Sequence, residues 1–136
     1  MAKSDQEFES EAVEILGLAH VGIRVHDLAR SRQFYELFGF KLAWGPFGPD
    51  QVTALKHPSG FEINLIVNAP KPKSPNILMD IPEKHAGFTH IALKIDNVVT
   101  TEAALEAAGV SISGRRGKDA LFVRDPDGNV VELAAD

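Results

Sequence analysis

Leu18-Ala19-His20-Val21-Gly22-Ile23-Arg24-Val25 and Phe88-Thr89-His90-Ile91-Ala92-Leu93-Lys94-Ile95 are one pattern written twice, 70 residues apart. Both alternate and are rich in Val and Ile, which predicts strands. The same offset lays Gly39 over Gly109. Further along, an offset of 68 lays Pro58-Ser59-Gly60 over Pro126-Asp127-Gly128 and Leu65 over Leu133. The change of two implies a connection two residues shorter in the second half. Pattern elements that recur in order point to two copies of one module. The division is residues 1–15 as an N-terminal extension, 16–67 as the first module, 68–87 as a crossover and 88–136 as the second.

Asp27 and Asn97 stand where helix N-caps belong. Leu28, Ser31, Tyr35 and Phe38 then fall on one face of an amphipathic helix, matched by Val98, Thr101, Leu105 and Ala108. Gly39 and Gly109 mark the helix ends, where a left-handed residue costs glycine nothing. Three short extended runs follow each helix, at 40–44, 51–56 and 61–67, then at 110–113, 119–124 and 129–134. His57-Pro58-Ser59-Gly60 and Asp125-Pro126-Asp127-Gly128 read as the turns before the last strands. The expected fold class is therefore α+β, two tandem βαβββ modules. Pro70, Pro72, Pro75 and Pro82 make the crossover an extended connection.

The chain has 136 residues with 14 Lys+Arg against 19 Asp+Glu, a formal charge of −5. That acidic balance argues against a nucleic-acid binder, which needs cations to displace phosphate counterions. The absence of cysteine removes disulfides, thiolate nucleophiles and Cys-based zinc sites. No stretch approaches the ~20 apolar residues of a membrane span. No apolar export core follows Met1, and a cytoplasmic location is expected. Phosphate-binding loops, the dinucleotide glycine fingerprint and the Gly-x-Ser-x-Gly elbow are missing from the sequence.

Strand alternation separates the chemistry from the core. Val21, Ile23 and Val25 oppose His20; Phe61, Ile63 and Leu65 oppose Glu62 and Asn64. In the second half Ile91, Leu93 and Ile95 oppose His90 and Ala92, and Val131 and Leu133 oppose Glu132. Each module thus sets a polar pair on the face its helix leaves free: His20 with Asn64, and His90 with Glu132. Neutral imidazole and carboxylate suit Zn²⁺, Fe²⁺, Mn²⁺, Ni²⁺ or Co²⁺.

The ordered set Leu18–Val25, Ser31-Arg32-Gln33-Phe34-Tyr35, Gly39-Phe40, Gly87–Leu93 and Asp125-Pro126-Asp127-Gly128-Asn129-Val130-Val131-Glu132-Leu133 resembles the vicinal oxygen chelate superfamily. That superfamily includes glyoxalase I, bleomycin-resistance proteins, extradiol dioxygenases and fosfomycin-resistance enzymes. The resemblance implies modules whose sheets curl into a cupped, half-barrel mixed sheet with helices outside. It implies one divalent metal ion (Fe, Ni, Mn, Co or Zn) on His20, His90 and Glu132, with Glu132 also the catalytic carboxylate. It further implies a homodimer in which His20 of one subunit meets His90 and Glu132 of the other.

The expected function is a metal-dependent enzyme on a small molecule, a glyoxalase-like lyase or isomerase or a dioxygenase. A non-catalytic sequestering protein of the bleomycin-resistance type, or a fosfomycin-resistance-like thiol transferase, is the alternative. Asn64 stands where glyoxalase I carries Glu, so one base of its proton-transfer scheme is missing. Asn64 is therefore assigned to substrate binding or weak ligation, and Glu62 to the pocket or the surface. Arg115 and Arg116 are read as an anion clamp for substrate or as a solvated loop. Tyr35 is expected in the core, and His26, His57 and His85 in solvated loops or turns. Trp44, Pro46 and Phe47 wall a pocket or cap the core.

Overall fold

The computed structural model describes residues 12–70 and 75–136. Residues 1–11 of the N-terminal extension and 71–74 of the crossover, Pro72 among them, lie outside the described residues. In chain order the elements are β1 (Val21–Val25), α1 (Leu28–Glu36), β2 (Lys41–Phe47), β3 (Val52–Lys56) and β4 (Glu62–Val67). The second set is β5 (His90–Lys94), α2 (Val98–Ala107), β6 (Gly114–Arg116), β7 (Ala120–Arg124) and β8 (Val130–Ala134).

These form two open four-stranded mixed sheets, ordered β1-β4-β3-β2 and β5-β8-β7-β6. In each, the first strand runs parallel to the last, and the remaining pairs are antiparallel. The registers repeat as the sequence offsets require. Gly22 lies opposite Asn64 and Ala92 opposite Glu132.

Both helices start as the caps dictate. Asp27 accepts from the Arg30 amide at 3.0 Å and Asn97 from the Thr100 amide at 2.9 Å, satisfying amides that have no intrahelical partner. Beyond α1, Gly39 adopts φ +92°. Its missing side chain has a packing use as well, because a Cβ there would stand 3.2 Å from His57 Nε2.

One apolar core serves both modules. Val25, Tyr35, Leu55, Ile63 and Leu65 of the first join Leu121, Val123, Val131 and Leu133 of the second. Tyr35 is fully buried, as its place on the helix face predicts. A polar seam reinforces the contact between modules. Tyr35 donates to Asp125, Ser31 and His26 meet Asp127, and the Asn129 amide reaches the Arg24 carbonyl. His26 is therefore half-buried and paired with Asp127, not solvated. Its cause is long-range packing of the second module's turn onto the first helix, which local sequence does not encode.

The sequence pattern predicts a strand over 110–113 and a loop at Arg115-Arg116, but the β6 ladder begins at Gly114 and contains both arginines. Val110 and Ile112 are instead partly buried and pack against the core. A tight turn with Gly117 at φ +56° and the Asp119 amide bonded to the Arg116 carbonyl closes the β6–β7 hairpin. That turn sets the register, pairing Arg116 with Ala120.

Candidate functional site

His90 and Glu132 meet. They stand on neighbouring parallel strands, two residues out of register, and on the same face of the second sheet. His90 Nε2 lies 3.0 Å from Glu132 Oε1. The other imidazole nitrogen, Nδ1, is 2.9 Å from the hydroxyl of Thr89. The ring stands edge-on to Phe122, with centroids 6.0 Å apart. Both ends and one side of the imidazole are thus fixed by this chain.

Glu132 is almost buried, at 9% side-chain exposure. A carboxylate so placed needs a countercharge and hydrogen bonds. Arg116 of β6 supplies both, with Nε 3.0 Å and Nη2 2.9 Å from Oε2. The guanidinium also grips Asp136 through two bonds of 2.9 and 3.0 Å. Hydrogen bonds to Asp136 and then to Glu132 hold the Arg116 proton more firmly than usual. The same contact keeps the Asp136 carboxyl below its ordinary range.

Arg115 goes elsewhere. Consecutive strand residues face opposite ways, and Arg115 forms a two-bond pair with Glu102 of α2 on the helix side of the sheet. Of the two arginines, Arg116 reaches Glu132 and Arg115 ties sheet to helix.

The equivalent place in the first module holds Asn64 and His20. Asn64 is 7% exposed, and its Oδ1 is buried with no hydrogen-bond partner among the described residues. Its register neighbours Gly22 and Ala54 offer it no side-chain donor. His20 is exposed just before β1. Among the described residues no three His, Asp or Glu side chains of one chain gather closely enough to hold an ion. The structure therefore brings two of the three expected ligands together and leaves His20 in the other module.

Chemically, this is a paired N and O donor set with a supporting cation, and the residues fit half of a divalent-metal site. The orphaned Asn64 oxygen and His20 are hard-oxygen and imidazole donors at the equivalent repeat positions of the other module, Asn64 on β4 and His20 just before β1.

On β2, Trp44 and Phe47 stack at 5.8 Å and remain 39% and 63% exposed, so they do not cap the core. A cavity of about 200 Å³ runs between β1 and β5, lined by Gly22, Tyr35, Asn76, Leu78, Thr89 and His90 among others. Glu62 is half-buried and paired in register with Lys56, while His85 is exposed. The seam residues His26, Ser31, Asp125 and Asp127 were not legible as a group in the sequence. The one available signal was the Asp-rich second turn set against His-Pro-Ser-Gly in the first. No described helix is long and apolar enough to cross a membrane.

Comparison with known proteins agrees with this architecture. The chain is 31% identical over 141 residues to a lactoylglutathione lyase of Schizosaccharomyces pombe, covering 87% of this chain and 47% of that one. It spans a little under half the length of that relative. A solved glyoxalase family protein from Enterococcus faecalis superposes with TM-score 0.73 at 24% identity, over 88% of this chain and 97% of the other. A variant of the fosfomycin resistance protein FosX from Listeria monocytogenes superposes with TM-score 0.67 at 19% identity, over 90% and 93%. That protein was solved with Mn(II) and a dihydroxypropylphosphonic acid. The family model described as Glyoxalase/Bleomycin resistance protein/Dioxygenase superfamily matches residues 17–133. With that span matched, the chain belongs to the glyoxalase/bleomycin resistance protein/dioxygenase superfamily.

Proposed function

We propose that the protein is a divalent-metal-dependent enzyme acting on a small molecule, a lyase, isomerase or oxygenase of this superfamily. The observation that carries the reading is the 3.0 Å approach of His90 Nε2 to Glu132 Oε1, with Arg116 neutralising the carboxylate's other oxygen. Two such chains in a homodimer would complete the site, His20 and Asn64 of one copy facing His90 and Glu132 of the other. Two features support a second copy. Leu18 and Phe88, at equivalent positions in the repeat, are 73% and 100% exposed. Every residue of β2 except Gly45 is exposed, Leu42, Trp44 and Phe47 among them, and apolar surface of this kind marks an interaction site.

A divalent ion at this place would supply Lewis-acid stabilisation of negative charge developing on substrate oxygens. The chain's own work is to aim and to exclude water. Thr89 orients the His90 ring, Arg116 fixes the Glu132 carboxylate, and Trp44 with Phe47 offers an apolar wall. Asn64 cannot take a proton, so it serves as a hydrogen-bonding or weak oxygen donor. Any proton transfer in the reaction falls to Glu132.

Metal analysis of protein purified without chelators, followed by titration with Mn²⁺, Co²⁺, Ni²⁺, Fe²⁺ and Zn²⁺, tests the reading. About one ion per chain, lost in His90→Ala, is expected. Binding of none of the five ions would defeat it and leave ligand sequestration by the aromatic wall.

A further inference from the structure

Arg116 is shared between two carboxylates of unequal standing. Glu132 is 9% exposed, whereas Asp136 is 50% exposed at its side chain. Freeing Glu132 from Arg116 would strand a buried charge; freeing Asp136 lets it turn into water. The Asp136 contact is nonetheless the geometrically better one for an anion. Both its oxygens face both terminal nitrogens of the guanidinium, the parallel fork that suits planar oxyanions. Lys94 pairs in register with Ala134, two residues before Asp136, and after Arg116 its charge also helps to hold that carboxyl down. By strand alternation it shares the face that carries His90 and Ala92.

The fold does not require a cation here. Arg116 pairs with Ala120, and the equivalent pair in the first module is Phe47 with Val52. One repeat thus places an exposed aromatic where the other places a guanidinium, so Arg116 is an addition specific to the module that holds His90 and Glu132.

We propose that Asp136 is an internal stand-in for the acidic head of the substrate. A small molecule bearing a carboxylate or phosphonate displaces Asp136 from Arg116 and docks with Lys94 as the second cation, next to Glu132. The fork then selects anionic substrates, and the Asp136 side chain competes with them and keeps the clamp filled when none is bound. The assignment deepens the proposed function and rests on it for the chemistry beyond the clamp, but the clamp itself needs no metal.

The test uses metal-free protein and two probes, acetate and methylphosphonate, followed by the Arg116 Nε–H signal in ¹⁵N NMR. Asp136→Ala should bind at least one probe about fivefold more tightly than the unaltered chain, the scale of an exposed ion pair. The probe that gains more names the head group. Arg116→Gln should lose the binding, read on the neighbouring backbone amides. Adding Lys94→Ala to Asp136→Ala should remove most of the gain, which keeps the test decisive should Arg116→Gln unfold. Asp136→Ala binding neither probe more tightly would overturn the proposal, as would Arg116→Gln binding as well as the unaltered chain. Co²⁺ titration of the same variants separates the two readings. Anion gain without metal binding leaves the clamp and removes the metalloenzyme; metal binding without anion gain does the reverse.

Discussion

The phenol of Tyr35 donates a 2.8 Å hydrogen bond to Asp125 Oδ2 across 90 residues of sequence, and both groups are buried. It joins the helix of the first module to the last turn of the second. Asp125 also receives the amides of Asp127 and Asn129 and the Asn129 side chain, so its lone pairs are well used. Removing the phenol leaves one acceptor of a buried carboxylate short of a donor. Tyr35→Phe should therefore cost about 1–3 kcal/mol in urea unfolding at pH 7.

The same pair gives stability a signed pH dependence. Burial, and then the charge of Asp125, raise the Tyr35 phenol well above its ordinary value of 10.0. The folded state thus holds that proton when the unfolded chain releases it, and stability falls as pH rises above about 10. Tyr35→Phe should lack this alkaline loss. A variant whose stability falls as steeply as the unaltered chain's would contradict the burial argument.

Asp125 behaves unlike most carboxylates of a folded protein. Burial raises it above its ordinary 3.8 despite the hydrogen bonds from Asn129 and Tyr35 that pull the other way. A raised folded value means that its contribution is fully present below the unfolded value and is lost as pH rises through the folded one. Asp125→Asn does not titrate. Its stability deficit relative to the unaltered chain should accordingly be largest near pH 3 and shrink as pH rises. Denaturant midpoints between pH 3 and 7 check this, and a deficit that grows with pH would refute it.

Thr89 supplies a prediction at the candidate metal centre. For Nε2 of His90 to present a lone pair to an ion, Nδ1 must carry the proton and donate it, and Thr89 Oγ1 is its neighbour at 2.9 Å. Partners of this kind are typically worth 10–100-fold in metal affinity. Thr89→Val should weaken Co²⁺ binding by about that factor, and Thr89→Ser should restore most of it. His20 follows Ala19, which has no hydroxyl, so Ala19→Val should change affinity little.

A shared site makes an arithmetic prediction. A homodimer of His20→Ala chains, or of Glu132→Gln chains, lacks one ligand at each of its two sites. In an equal mixture after reassociation half the dimers are mixed, and each mixed dimer has one intact site. Metal occupancy should recover to about a quarter of the unaltered value, given random pairing. No recovery would place all the ligands within one chain.

Gly39 and Gly109 occupy equivalent positions with unequal surroundings. Both have positive φ, +92° and +77°, yet a Cβ at Gly39 would press on His57 while nothing lies within 4 Å at Gly109. Alanine at either place costs about 1–2 kcal/mol of backbone strain. Gly39→Ala should cost more than Gly109→Ala by the displacement of His57, measurable as a difference in unfolding midpoint.

The sequence by itself determined the duplication, the order of elements, both helix N-caps and the shared face of His90 and Glu132. These are local or periodic properties. A period of two assigns His90, Ala92 and Glu132 to one side, and a two-residue change of offset was enough to match Asn64 with Glu132. Tertiary structure decided what the periodicities could not reach. It separated Arg115 from Arg116, moved β6 onto the arginines, drew His26 into the inter-module seam and left His20 apart from His90. The reason is that alternation fixes which way a side chain points within its own strand, whereas the partner it meets depends on how two modules, each satisfied internally by hydrogen bonds, pack their apolar faces together. That packing is set by the fit of side chains distant in sequence, such as Tyr35 and Asp125, and no repeat or spacing along the chain records it.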